Sequence, residues 1–449
     1  MYIKNKILDI KMRNLVPFFI PSTFFVFSFF AAFSHISVTA LKPTDIRNFL
    51  GTRTPYRFKF NIDDSKIKFP NCEDTKIWMI VRHGTRLPSS KDILGMNTKL
   101  KDLKYEVLLN HKHGKGQLNS EQLRVLENWS SDIPVDHEKY LTLEGQDEMI
   151  LLAERMQKRF PNAIKQKYSN KTHKFRYTAT QRAQQSAIYF TEGLFDKKMS
   201  QDVEFEPALK VDTTLRFYKH CDKWQKQVKK NPDTYKEQIL YGNSREMNET
   251  IKSVSKRFGL DKDLPLDTLV LMYKICGFET SWHKYSTSPW CFGFDEKSIK
   301  VLEYYQDLKH YWLDSYGHDF TYRTACMLFK NMIESMSKEG PNATFLFAHS
   351  GTLLKLLTFL QLYKPHSHLR GTSMDTNRTW IASNIDCFAS NLAFILYKCK
   401  DGDKILTLHQ EKVIKLPICD QELCPLSTIK EYYNDLVINC DYSDMCKLD

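Results

Sequence analysis

The sequence predicts an α/β protein: a sheet domain flanked by helices and assembled from both ends of the chain, with a mainly helical cap inserted between them. Three observations carry this prediction. Short apolar, strand-like runs cluster at 77–83, 176–180, 344–349 and 391–398. The long interval 200–340 between them reads mainly as helices. Two of the runs end on a histidine, His83 and His349, and ligands of open α/β sheets gather beyond the carboxyl ends of the strands. The expected organisation is a signal peptide over 1–40, a sheet domain from 41–199 and 341–449, and the helical cap over 200–340.

In chain order, Lys4, Lys6, Lys11 and Arg13 precede an uncharged stretch from Leu15 to Phe33, and small residues at Val38 and Ala40 suit cleavage before Leu41. This predicts export. An uncleaved anchor is the alternative, because the stretch is almost long enough to span a bilayer, and only in that case is a membrane a partner. Pro17 and Pro21 count against a stable anchor.

The apolar segment Ile77-Trp78-Met79-Ile80-Val81 delivers Arg82-His83-Gly84-Thr85-Arg86-Leu87-Pro88. A neutral imidazole attacks phosphorus only when neighbouring cations offset the charge of the phosphomonoester. Arg82 and Arg86 supply planar forks that match phosphate oxygens bidentately, as a lysine point charge does less well. Gly84 lets the backbone turn sharply, and Thr85 in that turn is a further substrate-binding candidate. The polar segment Asp92 to Asp136 is expected as helical or loop decoration near the site.

The Arg-His-Gly-x-Arg-x-Pro run resembles the histidine phosphatase superfamily in its acid phosphatase and phytase branch. Arg216-Phe217 with Cys221, Ser288-Pro289-Trp290-Cys291, Glu303-Tyr304 with Asp307-Leu308-Lys309, and Tyr311-Trp312 narrow the likeness to the multiple inositol polyphosphate phosphatases. Phe388-Ala389-Ser390-Asn391-Leu392 and Leu423-Cys424-Pro425-Leu426 extend it over roughly residues 45–449. The resemblance implies a phosphoglycerate-mutase-like sheet domain and a phosphohistidine on His83. It also implies inositol polyphosphates as substrate, with no metal and no cofactor. A broad-specificity acid phosphatase is the alternative within the enzyme class.

Arg176 to Ser186 reads as a short strand entering an amphipathic helix, and Arg182 matches the family's third phosphate-binding arginine. Arg176 stays undecided. Thr344 to Thr352 is again an apolar strand ending in a histidine, followed by a helical run from Leu353 to Leu360. His349 matches the family's second histidine, which hydrogen-bonds the phosphoryl oxygens.

One departure stands out against the resemblance. Inositol polyphosphate phosphatases usually read His-Ala-Glu and phytases His-Asp, the acid protonating the leaving alkoxide, whereas this chain reads His349-Ser350-Gly351. General acid assistance contributes about 10²–10⁴ in rate. Three routes stay open. Another acid enters the site, with Glu73, Asp74, Glu192, Asp375 and Asp386 as candidates; or water or a neighbouring substrate phosphate supplies the proton; or the protein binds polyphosphates with little turnover.

All eleven cysteines follow residue 40, which predicts disulfides in an exported protein, and the odd number leaves at least one thiol free or paired between chains. Cys419 and Cys424 suit a local loop. Asn128, Asn170, Asn248, Asn342 and Asn377 head glycosylation sequons. The net charge of +12 suits steering of a polyanionic substrate. Nucleic acid is not an expected partner, because the chain carries no nucleic-acid-binding module and is read as exported.

Overall fold

The computed structural model describes residues 45–61, 63–337 and 339–448; the signal-like segment 1–40 lies outside them. Its centre is a mixed sheet whose strands are β1 (Cys72–Arg82), β2 (His173–Tyr177), β3 (Ala343–Ala348), β4 (Asn391–Cys399), β5 (Gly402–His409), β6 (Lys412–Ile414) and β7 (Leu423–Pro425). The spatial order is β2-β3-β1-β4-β5-β6, with β7 also paired to β5. β2 and β1 flank β3 in parallel, and the remaining pairings are antiparallel.

The unbroken apolar run in β1 follows from burial on both faces of the sheet. Successive strand residues point to opposite sides. Ile77, Met79 and Val81 join a core with Met149, Leu152 and Met156 of the helix Leu143–Arg159 and Phe190 of the helix Gln181–Met199. Trp78 and Ile80 join another core with Phe329, Leu353, Leu356 and Ile429 from the helices Cys326–Ser337, Ser350–Phe359 and Leu426–Ile438. The result is a sheet between two helical layers.

The strands differ from expectation at their ends. β1 starts at Cys72 rather than 77, tied at its first pair to Cys399 of β4 by a disulfide. β2 runs 173–177 instead of 176–180, and β1 and β3 each stop one residue before their histidine. Sequence reading missed β5, β6 and β7, which extend the sheet by antiparallel pairing beyond β4.

Residues 200–340 contribute helices, including Arg245–Phe258, Leu266–Trp282 and Glu296–Asp314, and no strand of the sheet among the described residues. Helices at Ser90–Gly95, Lys101–Lys112 and Ser120–Glu127 lie within Asp92–Asp136 or at its edge. Leu103, Val107, Leu126 and Trp129 share one core with Met272, Trp290 and Leu302. The helical layer is therefore built from both stretches.

Among the described residues, disulfides join Cys72–Cys399, Cys221–Cys446, Cys276–Cys291, Cys326–Cys440 and the local pair Cys419–Cys424. Cys387 is the free thiol, and it is buried.

Candidate active site

Parallel pairing of three strands sets out the site. Arg82 of β1 is in register with Ala348 of β3, so His83 and His349 leave the sheet side by side, with ring centroids 5.6 Å apart. Tyr177 of β2 is in register with Phe347, which brings Thr178 and the following helix to the same edge. Beyond these strand ends lies a cleft of about 380 Å³ lined by His83, Arg82, Arg86, Arg182 and His349, with further residues from the helical layer. Five of the residues picked out from sequence are thus brought together.

His83 Nδ1 lies 2.9 Å from the Gly84 carbonyl oxygen. A carbonyl only accepts, so Nδ1 carries the proton and Nε2 keeps its lone pair. Burial, then the charges of Arg182 and Arg82, hold this imidazole well below its ordinary titration range. His349 is held down in the same way, by burial and then by Arg182 and Arg216. An Arg182 guanidinium nitrogen approaches His349 Nδ1 at 3.3 Å, which puts the His349 proton on Nε2, donated to Thr178 Oγ1 at 2.9 Å.

Arg82 is anchored through one guanidinium nitrogen, which donates to the carbonyls of Thr52 at 2.8 Å, Asp386 at 2.5 Å and Cys387 at 3.0 Å. Arg86 donates to the Leu87 carbonyl at 2.7 Å and stacks over Phe278 at 5.3 Å. Burial and mutual repulsion push both remaining guanidinium groups down: Arg86 well below its ordinary value, and Arg182 to about 10. Such crowding of cations, more numerous than the carboxylates beside them, prepares a site for an anion.

Thr85 is the exception. Its backbone N–H donates to Glu148 Oε2 at 2.7 Å and its hydroxyl to Oε1 at 3.0 Å, and the side chain is fully buried away from the cleft. The turn after β1 presses against the start of the helix Leu143–Arg159. A Cβ on Gly84 would stand 2.5 Å from the Gly145 carbonyl oxygen, and one on Gly145 would stand 2.2 Å from the Thr85 carbonyl oxygen. That backbone contact turns Thr85 into the protein. Arg176 is also settled, pairing with Asp212 at 2.8 Å.

Of the five acids considered for the missing donor, none lines the cleft wall. Glu73 sits opposite Lys398 in the β1–β4 pairing, and Asp74 accepts from the N–H groups of Asn162 and Ala163. Asp375 is exposed and accepts from Asn377, and Glu192 lies in the helix Gln181–Met199 without reaching the cleft. Asp386 alone touches the site, through Ser350. At Gly351 a Cβ would meet the Tyr218 ring at 3.0–3.3 Å, so Tyr218 fills the space beside that position.

Sequence reading missed several lining residues: Arg53 from the N-terminal segment, and Tyr218, Lys229, His310 and Asp314 from the helical layer. Arg216 and Lys309 belonged to quoted family segments without being assigned to the site, and both line it. No local pattern marks Arg53. Among the described residues Asp314 is the one carboxylate on the cleft wall; Lys355 at 2.5 Å and His310 at 3.1 Å hold it well below the usual carboxylate range.

The sequence pattern of the histidine phosphatase superfamily (branch 2) matches residues 75–416. Multiple inositol polyphosphate phosphatase 1 of Drosophila melanogaster is 30% identical over 400 residues, covering 86% of this chain and 84% of that protein. The Homo sapiens protein of the same name is 27% identical over 428 residues, covering 89% and 85%. Among solved structures, the phytase from D. castellii superposes with a TM-score of 0.71 at 15% identity, covering 90% of this chain and 88% of that one. The Bifidobacterium longum multiple inositol polyphosphate phosphatase in complex with inositol hexasulfate superposes with a TM-score of 0.63 at 14% identity, covering 85% and 97%.

Proposed function

Because the chain belongs to the histidine phosphatase superfamily (branch 2), we propose that it removes phosphate from inositol polyphosphates through a phosphohistidine formed on His83. The observation that carries this reading is a neutral His83, with Nε2 unprotonated, in a cleft crowded with arginines. Nε2 attacks phosphorus while Arg82, Arg86 and Arg182 hold the phosphoryl oxygens and His349, its Nδ1 accepting from Arg182, positions that guanidinium, so that charge developing on those oxygens is stabilised by donors already in place. Water then attacks the phosphohistidine and releases inorganic phosphate.

The substrate class is supported by the printed names of the relatives and by the extent of positive charge. Arg53, Arg216, Lys219, Lys229 and Lys309 add cations beyond those needed for one phosphoryl group. Most of these come from the helical layer, which we read as the cap that closes the cleft over a polyanion. Export is supported by five disulfides and by exposed sequon asparagines at 128, 170, 248 and 377. No helix among the described residues is long and apolar enough to cross a membrane, which leaves membrane attachment to the segment before Leu41 if it stays uncleaved.

The test is phosphate release from inositol hexakisphosphate by the purified protein, with His83→Ala as the blank. Release that disappears with His83 is the expected outcome. A second reading, tight binding with little turnover, is favoured by Gly351 and the Tyr218 ring packed beside it. It predicts no release above the blank together with inositol hexakisphosphate binding that Arg182→Ala weakens.

A further inference from the structure

We propose that Ser350 and Asp386 form the proton relay of this reaction: the Ser350 hydroxyl protonates the leaving oxygen, and the Asp386 carboxylic acid reprotonates Ser350. The inference rests on the phosphatase reading above. Cleaving an inositol phosphate expels an alkoxide, which needs a proton as the ester bond breaks. Asp314 cannot give one, since Lys355 and His310 keep it ionised. Tyr218 is a weak acid, its hydroxyl pushed up to about 12 by burial and then by Asp314.

Ser350 differs because of what stands behind it. It is the first residue of the helix Ser350–Phe359, directly after His349, and it lines the cleft. Its Oγ is hydrogen-bonded to Asp386 Oδ2. Asp386 is fully buried, and its other oxygen, Oδ1, has no hydrogen-bond partner. An ionised carboxylate with an unpartnered oxygen in a dry site is costly, and the neutral acid is not. The groups facing it are the Arg82 guanidinium from β1 at 3.5 Å, Ser350, the adjacent Cys387 thiol, and Asp314 from the helix Glu296–Asp314. Burial outweighs the Arg82 charge and pushes the Asp386 carboxyl up to about 7.

The steps balance. The Nε2 lone pair of His83 forms the N–P bond while the ester P–O bond breaks, leaving its electron pair on the departing oxygen. That oxygen takes the Ser350 proton, and Ser350 takes the proton of Asp386, whose new carboxylate faces Arg82. In the second half a water oxygen bonds to phosphorus, the P–N pair returns to His83, and the water proton passes through Ser350 to Asp386. Ser350 is the catalytic residue of the pair, and Asp386 acts through it.

The experiment compares two esters in the purified protein: inositol hexakisphosphate, which expels an alkoxide, and 4-nitrophenyl phosphate, whose phenolate leaves unaided. Ser350→Ala is expected to lower kcat/KM, which reports the first half in which the leaving oxygen departs, by about 10²–10⁴-fold on the inositol ester and by less than about threefold on the aryl ester. Ser350→Thr restores the inositol reaction. Asp386→Asn shows the same split and removes the fall in inositol-ester turnover as pH rises through about 7. Should Asp386→Asn fail to fold, the two Ser350 variants decide. Equal losses on both esters, loss on neither, or an ester-dependent loss confined to Tyr218→Phe each overturn the relay. Absence of His83-dependent release from either ester by the unsubstituted protein overturns the phosphatase reading itself, and the relay with it.

Discussion

His83 donates its Nδ1 proton to the Gly84 carbonyl at 2.9 Å, and burial together with Arg182 and Arg82 keeps the ring neutral. An ordinary imidazole titrates at about 6.5, so at pH 5 only a few per cent of it would remain neutral. A ring held well below that range keeps more of its nucleophile as the pH falls from about 7 to about 5. For 4-nitrophenyl phosphate, kcat/KM corrected for ionisation of the ester is therefore expected to decline less across that interval than an ordinary imidazole would impose. A tenfold decline centred near 6.5 in initial-rate measurements would contradict it. The motif residues His83, Arg82 and Arg86 were legible in sequence because they directly follow a buried strand and their chemistry is local. The orientation of Thr85 was not, because it depends on a helix that begins at residue 143.

That helix meets the turn after β1 at closest approach between Gly84 and Gly145, backbone against backbone. Neither partner is the movable end of a side chain, so a Cβ at 84 must displace the turn or the helix. Gly84→Ala is expected to reduce stability by about 1–3 kcal/mol, as overpacking does, and to lower phosphate release by moving the carbonyl that holds His83. Thermal unfolding and turnover measured on the same preparation check this, and an unchanged melting temperature would show that the contact is not tight. The strands at 344–349 and 391–398 were legible because β3 is buried throughout and β4 is buried from Asn391 to Tyr397. β5, β6 and β7 were not, since their pairing partners rather than their own composition make them strands.

Across the whole molecule, the cleft gathers Arg53, Arg82, Arg86, Arg182, Arg216 and Lys309 around one carboxylate that is already paired. Their mutual repulsion opposes folding when no anion is present, and an anion that binds only the folded form stabilises it by about 2.7 kcal/mol at a hundredfold excess over its Kd. Inorganic phosphate at matched ionic strength is accordingly expected to raise the melting temperature above that in chloride, with a smaller rise for Arg182→Ala. Equal melting temperatures in the two salts would mean that the cations do not form a phosphate site. The net charge of +12 announced an affinity for anions without saying where the charge converges.

The chemistry of this protein was written locally: two apolar strands each followed directly by a histidine, with arginines beside the first, are enough to specify phosphoryl transfer beyond the strands' carboxyl ends. Only the tertiary structure decided which distant groups gather there. Arg53, Arg216 and Lys309 reach the cleft from separate segments, while Arg176, close to the motif residues in sequence, is neutralised by Asp212. The acid behind Ser350 was one of five candidates until the backbone after His349 and the segment 386–391 were brought together. Side-chain direction and long-range packing set those contacts, and neither is carried by the residues flanking a motif.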